Sequence, residues 1–328
     1  MAKQTVCGVD IGGTKTAIVL SSGPPEIDER IAFPTNPADG PDGTIERIKQ
    51  SIHQALSSQR LSHSDLRAIG VSCGSPLDLT NGVIQQPPNL PTWKDVPIKA
   101  ILEAEFHNKC FLENDANAGA LAEFRFGAAL GTQNMIFLTM GTGIGAGLIL
   151  NGALYRGASQ LAGEIGHVRL THSGPNGHNK SGAIEGWASG AGMAAVARDA
   201  IQIAIANGQN TLLAVPNGHA AHCVSARAIW EAAQAGDDLA TSIISATGER
   251  LGEAMAILID LLNPECIAVG GLALRMGDAL LGPARTVVMR ECLSTSAHAC
   301  RIVPAGLGEQ VGDVAAICVA LEGLNGGQ

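Results

Sequence analysis

Short apolar runs and glycine-rich turns dominate two segments of the chain. Residues 6–10 and 16–20 are apolar runs on either side of a glycine-rich turn at 11–15, and this pattern predicts a β-hairpin. The same layout returns within residues 135–150, where the turn lies at 141–143. The sequence therefore predicts the same kind of hairpin in two places.

The rest of the chain alternates between helical periodicity and short strand-like runs. Pro97 lies at the first turn of one predicted helix, Ser225 caps another, and Pro264 ends a long one. The predicted helices are 44–56, one beginning at 98, 116–124, 191–206, 225–234, 237–262 and 311–321, and the predicted strands outside the hairpins are 67–73, 110–113 and 266–269. This alternation predicts an α/β fold.

Size and composition support two α/β lobes. The chain has 328 residues, more than one domain usually contains, so we expect two lobes that share a cleft. Hydrophobic residues make up 46% and aromatic residues only 3%, with 41 glycines, which favours close packing of helices on sheets. No linker is visible, and we place the boundary near residue 125, after the helix that follows Asp115.

Charge and hydropathy restrict the partners. The formal net charge is −9 and no cluster of Lys or Arg occurs, which excludes the basic footprint of nucleic-acid or anionic-membrane binding. The apolar run within 135–150 is interrupted by glycines and is shorter than the roughly 20 residues of a membrane-spanning helix. We expect a small-molecule partner, with no nucleic acid and no membrane.

The N-terminus and the cysteines predict a cytoplasmic protein. Residues 1–5 lead directly into the first strand without the pattern of a secretory signal. The eight cysteines are scattered singly in mostly apolar segments and are expected to be reduced. They are Cys7, Cys73, Cys110, Cys223, Cys266, Cys292, Cys300 and Cys318.

The first glycine-rich turn has the composition of a phosphate-binding loop. Backbone N–H groups can approach an anion closely at Gly12 and Gly13 because no Cβ obstructs them. Thr14 and Lys15 add a donor and a positive charge, and Asp10 is placed to hold Mg²⁺ through water. For one turn alone, a plain hairpin with an exposed lysine is an equal alternative.

Two other phosphate motifs can be rejected. Neither turn has the GxxxxGK[ST] spacing of a P-loop. Residues 141–146 satisfy GxGxxA, but a β-like segment follows where a dinucleotide-binding fold requires a helix. A Rossmann oxidoreductase is therefore disfavoured, and the paired hairpins are better suited to hold the phosphates of a nucleotide from two sides.

Asp115 lies where a predicted strand meets a predicted helix. Such junctions at the carboxyl ends of strands are where α/β proteins gather ligands. The alternative interpretation is a helix N-cap, a common position for Asp.

Seven segments together resemble the ROK family (repressors, open reading frames and sugar kinases) of the actin/hexokinase superfamily. They are DIGGTK at 10–15, PNLPTWKDVPI at 88–98, NDANAGALAE at 114–123, GTGIGAGLIL at 141–150, GEIGH at 163–167, AVGG at 268–271 and VGDVAAICVAL at 311–321. The resemblance implies the two-lobed actin-like ATPase (ribonuclease H-like) fold, with each lobe a mixed sheet flanked by helices. It implies a small lobe at 1–125, a large lobe at 126–310, a last helix at about 311–323 that returns to the small lobe, and a homodimer.

The resemblance also implies an ATP-dependent hexose kinase with Mg²⁺, in which Asp115 takes the proton from the attacking hydroxyl. The implied sugar-binding residues are Asn89, Asn114, Asp115, Glu164, His167 and Glu185. The implied ATP-binding residues are Gly12, Gly13, Thr14, Lys15, Gly141, Thr142, Gly143, Gly270 and Gly271.

Glucose, phosphorylated at its 6-hydroxyl, is the first choice of acceptor, and an N-acetylated hexosamine is the second. The segment 73–78 is shorter than the usual sugar-side loop of the family, so the acceptor stays open. A non-catalytic sugar sensor would need an added DNA-binding segment or a lost base, and neither is seen. A kinase for carboxylates is the third possibility, which the sugar-side residues oppose.

One motif of the family is missing. Many relatives hold a structural zinc ion with the histidine equivalent to His167 and three cysteines, but here Asn176, His178 and Ala183 stand in the cysteine positions. These residues cannot form a tetrahedral zinc site, so no zinc is expected. We interpret His172, His178, His219 and His222 as solvated loop histidines.

Overall fold

The computed structural model describes residues 5–214 and 224–326. Contacts within the chain divide it into two compact units. The first contains Met1–Leu130 and Glu309–Gln328, and the second contains Gly131–Gly308. Cys223, His219 and His222 lie outside the described residues.

The described residues contain strands and helices in alternation. The strands are β1 Thr5–Ile11, β2 Lys15–Ser21, β3 Glu29–Pro34, β4 Leu66–Cys73, β5 Leu77–Asp78, β6 Val83–Ile84, β7 Lys109–Asn114, β8 Met135–Met140, β9 Ile144–Leu150, β10 Ala153–Leu154, β11 Asn176–Gly177, β12 Lys180–Ser181, β13 Cys266–Val269 and β14 Arg301–Pro304. The helices are α1 Gly40–Ser58, α2 Ile98–Phe106, α3 Asp115–Phe126, α4 Ile184–Ala188, α5 Gly190–Ala206, α6 Ala226–Gln234, α7 Asp238–Leu262, α8 Leu272–Met276, α9 Asp278–Glu291, α10 Ser294–Ala299 and α11 Val311–Leu324.

The first unit is built on a five-stranded mixed sheet with the order β3-β2-β1-β4-β7. The predicted hairpin is confirmed: β1 and β2 pair antiparallel around the glycine turn. Strand β4 lies parallel to both β1 and β7. The central strands are buried on both faces, which explains their nearly continuous apolar sequences.

Helices cover the faces of this sheet. The apolar stripe predicted for α1 is buried, including Ile45, Ile48, Ile52 and Leu56. The last helix, α11, packs on β1, β4 and α3. Two glycines allow this close approach, since a Cβ at Gly8 or Gly70 would overlap the backbone of α11.

The second unit repeats the topology of the first. Its five-stranded sheet has the order β10-β9-β8-β13-β14, with β8 and β9 antiparallel and β13 parallel to both β8 and β14. The second predicted hairpin is therefore confirmed as well. A separate two-stranded hairpin, β11–β12, connects the sheet to α4.

Several elements were not predicted. They include β3, β14 and the helices between residues 272 and 299. Helix α9 contains Pro283 in its interior, a residue that argues against a helix in sequence analysis. It nevertheless packs along the long helix α7, so tertiary burial overrides the local signal. No helix in the described part of the chain is long and apolar enough to cross a membrane.

We predict that Gly70→Ala destabilises the protein by about 1–3 kcal/mol, since its new methyl group would overlap Ala316 O and Ala320 N of α11. The matched control is Gly282→Ala within α9, where no atom outside the adjoining residues lies within 4 Å of the added Cβ. Alanine favours helices over glycine, but Pro283 follows directly and opposes a Cβ on the preceding residue, so the stability of this control should change by less than about 1 kcal/mol. Urea unfolding measures both, and equal stability of the two variants would contradict the packing of α11 on β4.

Candidate functional site

Three parallel strands of the first unit end side by side. Ile11, Cys73 and Asn114 lie opposite one another at the carboxyl ends of β1, β4 and β7. Asp10 and Asp115 are the neighbours of this row in sequence. Because ligand-binding residues gather at such an edge in α/β sheets, the pairing assembles candidate residues from three distant segments.

The glycine turn after β1 is tight and lies against a second candidate segment. Gly12 N donates to Lys15 O at 3.0 Å. A Cβ at Gly13 would come within 2.7 Å of the Cβ and carbonyl oxygen of Asn89. The side chains of Thr14 and Lys15 are exposed. Residue 13 therefore has to be small, and Asn89 borders the turn.

Negative charge is concentrated around Asp10. The pKa of Asp10 is raised from 3.8 to about 7, first by desolvation and then by the charges of Asp115 and Asp313. Lys15 and Arg30 lower it. Arg30 Nε also donates to Asp313 Oδ2 at 2.6 Å, so part of this positive charge is already used. A cation bound beside Asp10 would relieve the remaining repulsion.

The side chains around Asp10 suit Mg²⁺ better than a metal ion whose ligands all come from the protein. Among the described residues, no three His, Cys, Asp or Glu side chains converge to hold a metal ion. Mg²⁺ commonly keeps several waters and uses one or two carboxylates together with substrate phosphates. One carboxylate next to the glycine turn of Gly12 and Gly13 is compatible with this mode of binding.

Asn114 and Asp115 begin α3. Asn114 is the N-cap, and its Oδ1 accepts from Ala116 N at 2.9 Å and from Asn117 N at 3.4 Å. The interpretation of Asp115 as the N-cap was therefore wrong, because the preceding residue fills that position. Asp115 is exposed in the first turn, where its Oδ1 accepts from Ala116 N at 2.9 Å.

The loop after β4 connects the candidate residues of this edge. Asn114 Nδ2 donates to Ser75 Oγ at 2.8 Å. A Cβ at Gly74 would lie 3.6 Å from Asn89 Oδ1. Asn89 and Asn114 thus border the same short loop after β4.

Sequence analysis missed Glu113, which holds the Asn114 backbone from below. Glu113 is only 2% exposed, and its Oε1 accepts from Asn114 N at 3.0 Å and from Asn117 Nδ2 at 2.9 Å. The available signal was a carboxylate within the otherwise apolar strand at 110–113. A buried carboxylate needs such partners, so this network fixes the start of α3.

The second glycine turn, 141–143, is anchored to the start of α5. Gly190 N donates to Gly141 O at 2.8 Å, and Ala191 N donates to Thr142 O at 3.1 Å. Within the turn, Gly141 N donates to Gly143 O at 3.0 Å. The carbonyl oxygens of Gly141, Thr142 and Gly143 each accept one of these hydrogen bonds, which fixes the backbone of the turn.

The turn at Gly270 and Gly271 lies against the end of β8. Gly270 N donates to Leu138 O at 2.9 Å. Gly271 has φ +63°, and a Cβ there would overlap Met140 O. The positive φ and the lack of space for a Cβ both favour glycine at position 271, and this residue lies next to Gly141.

Glu185 lies next to the second glycine turn. Ile144 N lies 3.4 Å from its Oε2, and a Cβ at Gly143 would meet the same oxygen. On its other side, Glu185 Oε1 is 3.1 Å from His178 Nε2.

His178 lies exposed at the tip of a hairpin, as predicted for a loop histidine, and its ring also contacts this cluster. Its ring stacks on His167 with centroids 3.5 Å apart and planes 18° apart. His167 Nε2 in turn lies 3.9 Å from Glu164 Oε2. The second unit thus joins Glu164, His167 and Glu185 through a residue that sequence analysis dismissed.

The residues in the zinc-motif positions do not fit zinc. Ala183 has no ligand atom and is fully buried, and Asn176 is a poor ligand. Loop 171–183 is held by its own contacts instead. Trp187 Nε1 donates to Thr171 Oγ1 at 2.8 Å, and Ser181 Oγ donates to Gly174 O at 3.0 Å.

Two mixed sheets of the same order, each with a glycine turn after its first strand, define a protein of the two-lobed actin-like ATPase (ribonuclease H-like) class. The chain belongs to the ROK family, whose family model matches residues 6–322.

Known relatives cover almost the whole chain. A glucokinase of Halalkalibacterium halodurans is 33% identical over 322 residues, which are 95% of this chain and 93% of that protein. A glucokinase of Thermotoga maritima is 30% identical over 327 residues, 99% of this chain and 100% of that protein. The crystal structure of a ROK family glucokinase from Streptomyces griseus, in complex with glucose and AMPPNP, matches with a TM-score of 0.80 and 29% identity over 97% of this chain and 99% of that one.

We predict that Asp10→Asn stabilises the ligand-free protein more at high pH than at low pH. With its pKa raised to about 7, Asp10 contributes stability that is full below 3.8 and is lost as the pH rises through 7. Asparagine stays neutral throughout. Because most of the range from 3.8 to 7 lies between pH 5 and pH 8, we expect the gain at pH 8 to exceed that at pH 5 by about 1–3 kcal/mol. Denaturant titrations at both pH values measure this difference, and an equal effect at the two values would contradict it.

Proposed function

We propose that the protein is an ATP-dependent hexose kinase that transfers the γ-phosphoryl group to a sugar hydroxyl, with glucose and its 6-hydroxyl as first choice. The observation that carries the proposal is the exposed carboxylate of Asp115, at the same sheet edge as the glycine turn of Gly12 and Gly13. Phosphoryl transfer requires mainly alignment of the hydroxyl and stabilisation of charge.

In this proposal Asp115 is the general base. It accepts the proton of the attacking sugar hydroxyl while Asn114 holds the same part of the sugar. Support comes from the hydrogen bonds on either side of Asp115, because Asn114 N donates to Glu113 and Ala116 N donates to the Asn114 side chain. A carboxylate in this role typically contributes about 10²–10⁴-fold to the rate.

The glycine turns are proposed to bind ATP. Gly12, Gly13, Thr14 and Lys15 are assigned to the β and γ phosphates, through backbone amides and one positive charge. The further residues assigned to ATP are Gly141, Thr142, Gly143, Gly270 and Gly271. Their support is the close packing at the end of β8, where the two turns lie together.

We assign Mg²⁺ to Asp10, through water. When bound, the ion neutralises phosphate charge. The crowding of negative charge at Asp10 supports this assignment.

The remaining sugar contacts are assigned to Asn89, Glu164, His167 and Glu185. Carboxylates and an imidazole suit hydroxyl groups, since each accepts or donates hydrogen bonds. The names of the glucokinase relatives support glucose. N-acetylated hexosamines remain the competing acceptors.

Coupled ADP release across a panel of sugars, with ATP and Mg²⁺, tests the function. We expect turnover with glucose above that with N-acetylglucosamine or N-acetylmannosamine. If ADP is released only with an acetylated sugar, that sugar and not glucose is the substrate. If ATP is hydrolysed equally without sugar, or if no sugar causes ADP release, the protein is not a hexose kinase.

We predict that Asp115→Asn lowers kcat by at least about 10²-fold, because asparagine cannot accept the proton, while ATP binding is retained. Asp238→Asn is the matched control. Asp238 is also exposed in the first turn of a helix, directly after an N-cap residue. An equal small effect of both substitutions on kcat would exclude Asp115 as the base.

We also propose a cytoplasmic homodimer. Seven described cysteines are buried and form no disulfide, as expected for a reducing compartment. In the second unit, Leu261 and Leu293 are 75% and 69% exposed. Leu293 N donates to Oδ1 of Asp260, the residue before Leu261, at 3.2 Å. Contiguous exposed apolar patches mark protein interfaces, and we assign these two leucines to such a patch.

Light scattering after size-exclusion chromatography should therefore give twice the mass of one chain. The double variant Leu261→Glu/Leu293→Glu should give the mass of a monomer. A monomeric wild type would contradict the dimer, and an unchanged dimer in the variant would locate the interface elsewhere.

A further inference from the structure

The hairpin β11–β12 carries His178 and Asn179 at its tip. Their φ angles are +52° and +58°, as in a two-residue type I′ turn. This turn favours Asn-Gly, and among other residues histidine is one of those that tolerate a positive φ. The contacts of its side chain show what histidine adds at this position.

Those contacts lie on both sides of the imidazole. Nε2 is 3.1 Å from Glu185 Oε1, and the ring stacks on His167 at 3.5 Å. The 3.1 Å separation of Nε2 and Glu185 Oε1 is within ion-pair distance, so the imidazole and the carboxylate interact directly. One side chain thus touches two of the three residues assigned to the sugar in the second unit.

The backbone of the hairpin is fixed at the distance that these contacts require. Gly177 is buried against α4, and a Cβ there would come within 2.7 Å of Gly186 N and 3.1 Å of Glu185 Cβ. Lys180 Nζ donates to His167 O at 2.7 Å. The hairpin is therefore attached to the backbone of both residues that His178 touches.

We propose that His178 is a positioning residue for sugar binding, which fixes the carboxylate of Glu185 and the ring of His167. Glu185 then lies between His178 on one side and Ile144 N on the other, and its rotation is restricted. This inference rests on the proposed function, because it assigns His178 through its two sugar-contacting neighbours. It also explains how the site is ordered by residues that cannot hold zinc.

The test compares His178→Asn with the wild type, using glucose as the sugar. Asparagine suits the left-handed turn, but its side chain is too short to reach Glu185 or to stack on His167. We expect the KM for glucose to rise about tenfold, because Glu185 and His167 lose the ion-pair and stacking contacts that position them. The KM for ATP and kcat should stay within about twofold, and the melting temperature should not fall.

His172→Asn, at an exposed position in the same loop, is the matched control and should leave the KM for glucose unchanged. The side chain of glutamine is one methylene longer than that of asparagine, so His178→Gln should restore part of the affinity for glucose. In a Glu185→Gln background, His178→Asn should have a smaller effect than in the wild type, because the partner is already altered.

The outcomes separate the two proposals. A wild type that phosphorylates glucose, with an unchanged KM in His178→Asn, would overturn the role of His178 and leave the kinase intact. A lower melting temperature with parallel losses in kcat and ATP affinity would show a structural role only, which also overturns it. If the wild type phosphorylates none of the sugars tested, the proposed function is refuted, and the positioning role with it.

Discussion

The parallel pairing of β1, β4 and β7 is the constraint on which the first unit depends. Because parallel strands end at the same edge, it aligns Ile11, Cys73 and Asn114, which are far apart in sequence. The candidate site residues lie in the segments that directly follow these strands. They are a glycine turn after β1, a short loop with Ser75 after β4, and the start of α3 after β7. Close packing of α11 against glycines of β1 and β4 keeps this edge in place.

The second unit has the same topology but positions different residues. The glycine turn that joins β8 and β9 is hydrogen-bonded to the start of α5 and lies next to the carboxylate of Glu185. Here the candidate side chains come from loops rather than strand ends. Loops have few backbone partners of their own, so their side chains need support from neighbours, which His178 and Lys180 supply.

Sequence patterns predicted both hairpins, the long helices and the junction at Asn114 and Asp115, because each is a local feature with its own periodicity or cap. They failed for α9, where Pro283 conceals a helix that tertiary packing stabilises. They failed also for Glu113 and His178, whose importance depends on which atoms they meet after folding. Such contacts between side chains have no periodic signature, so only the structure reveals them.

In the proposed function, Asp115 and the glycine turn of the same unit direct the γ-phosphoryl group to a sugar hydroxyl and away from water. A single-turnover reaction of excess protein with γ-³²P-labelled ATP and glucose tests it most directly. The account predicts that the label appears in a hexose phosphate, with little inorganic phosphate. Label released only as inorganic phosphate, or retained in ATP, would contradict it.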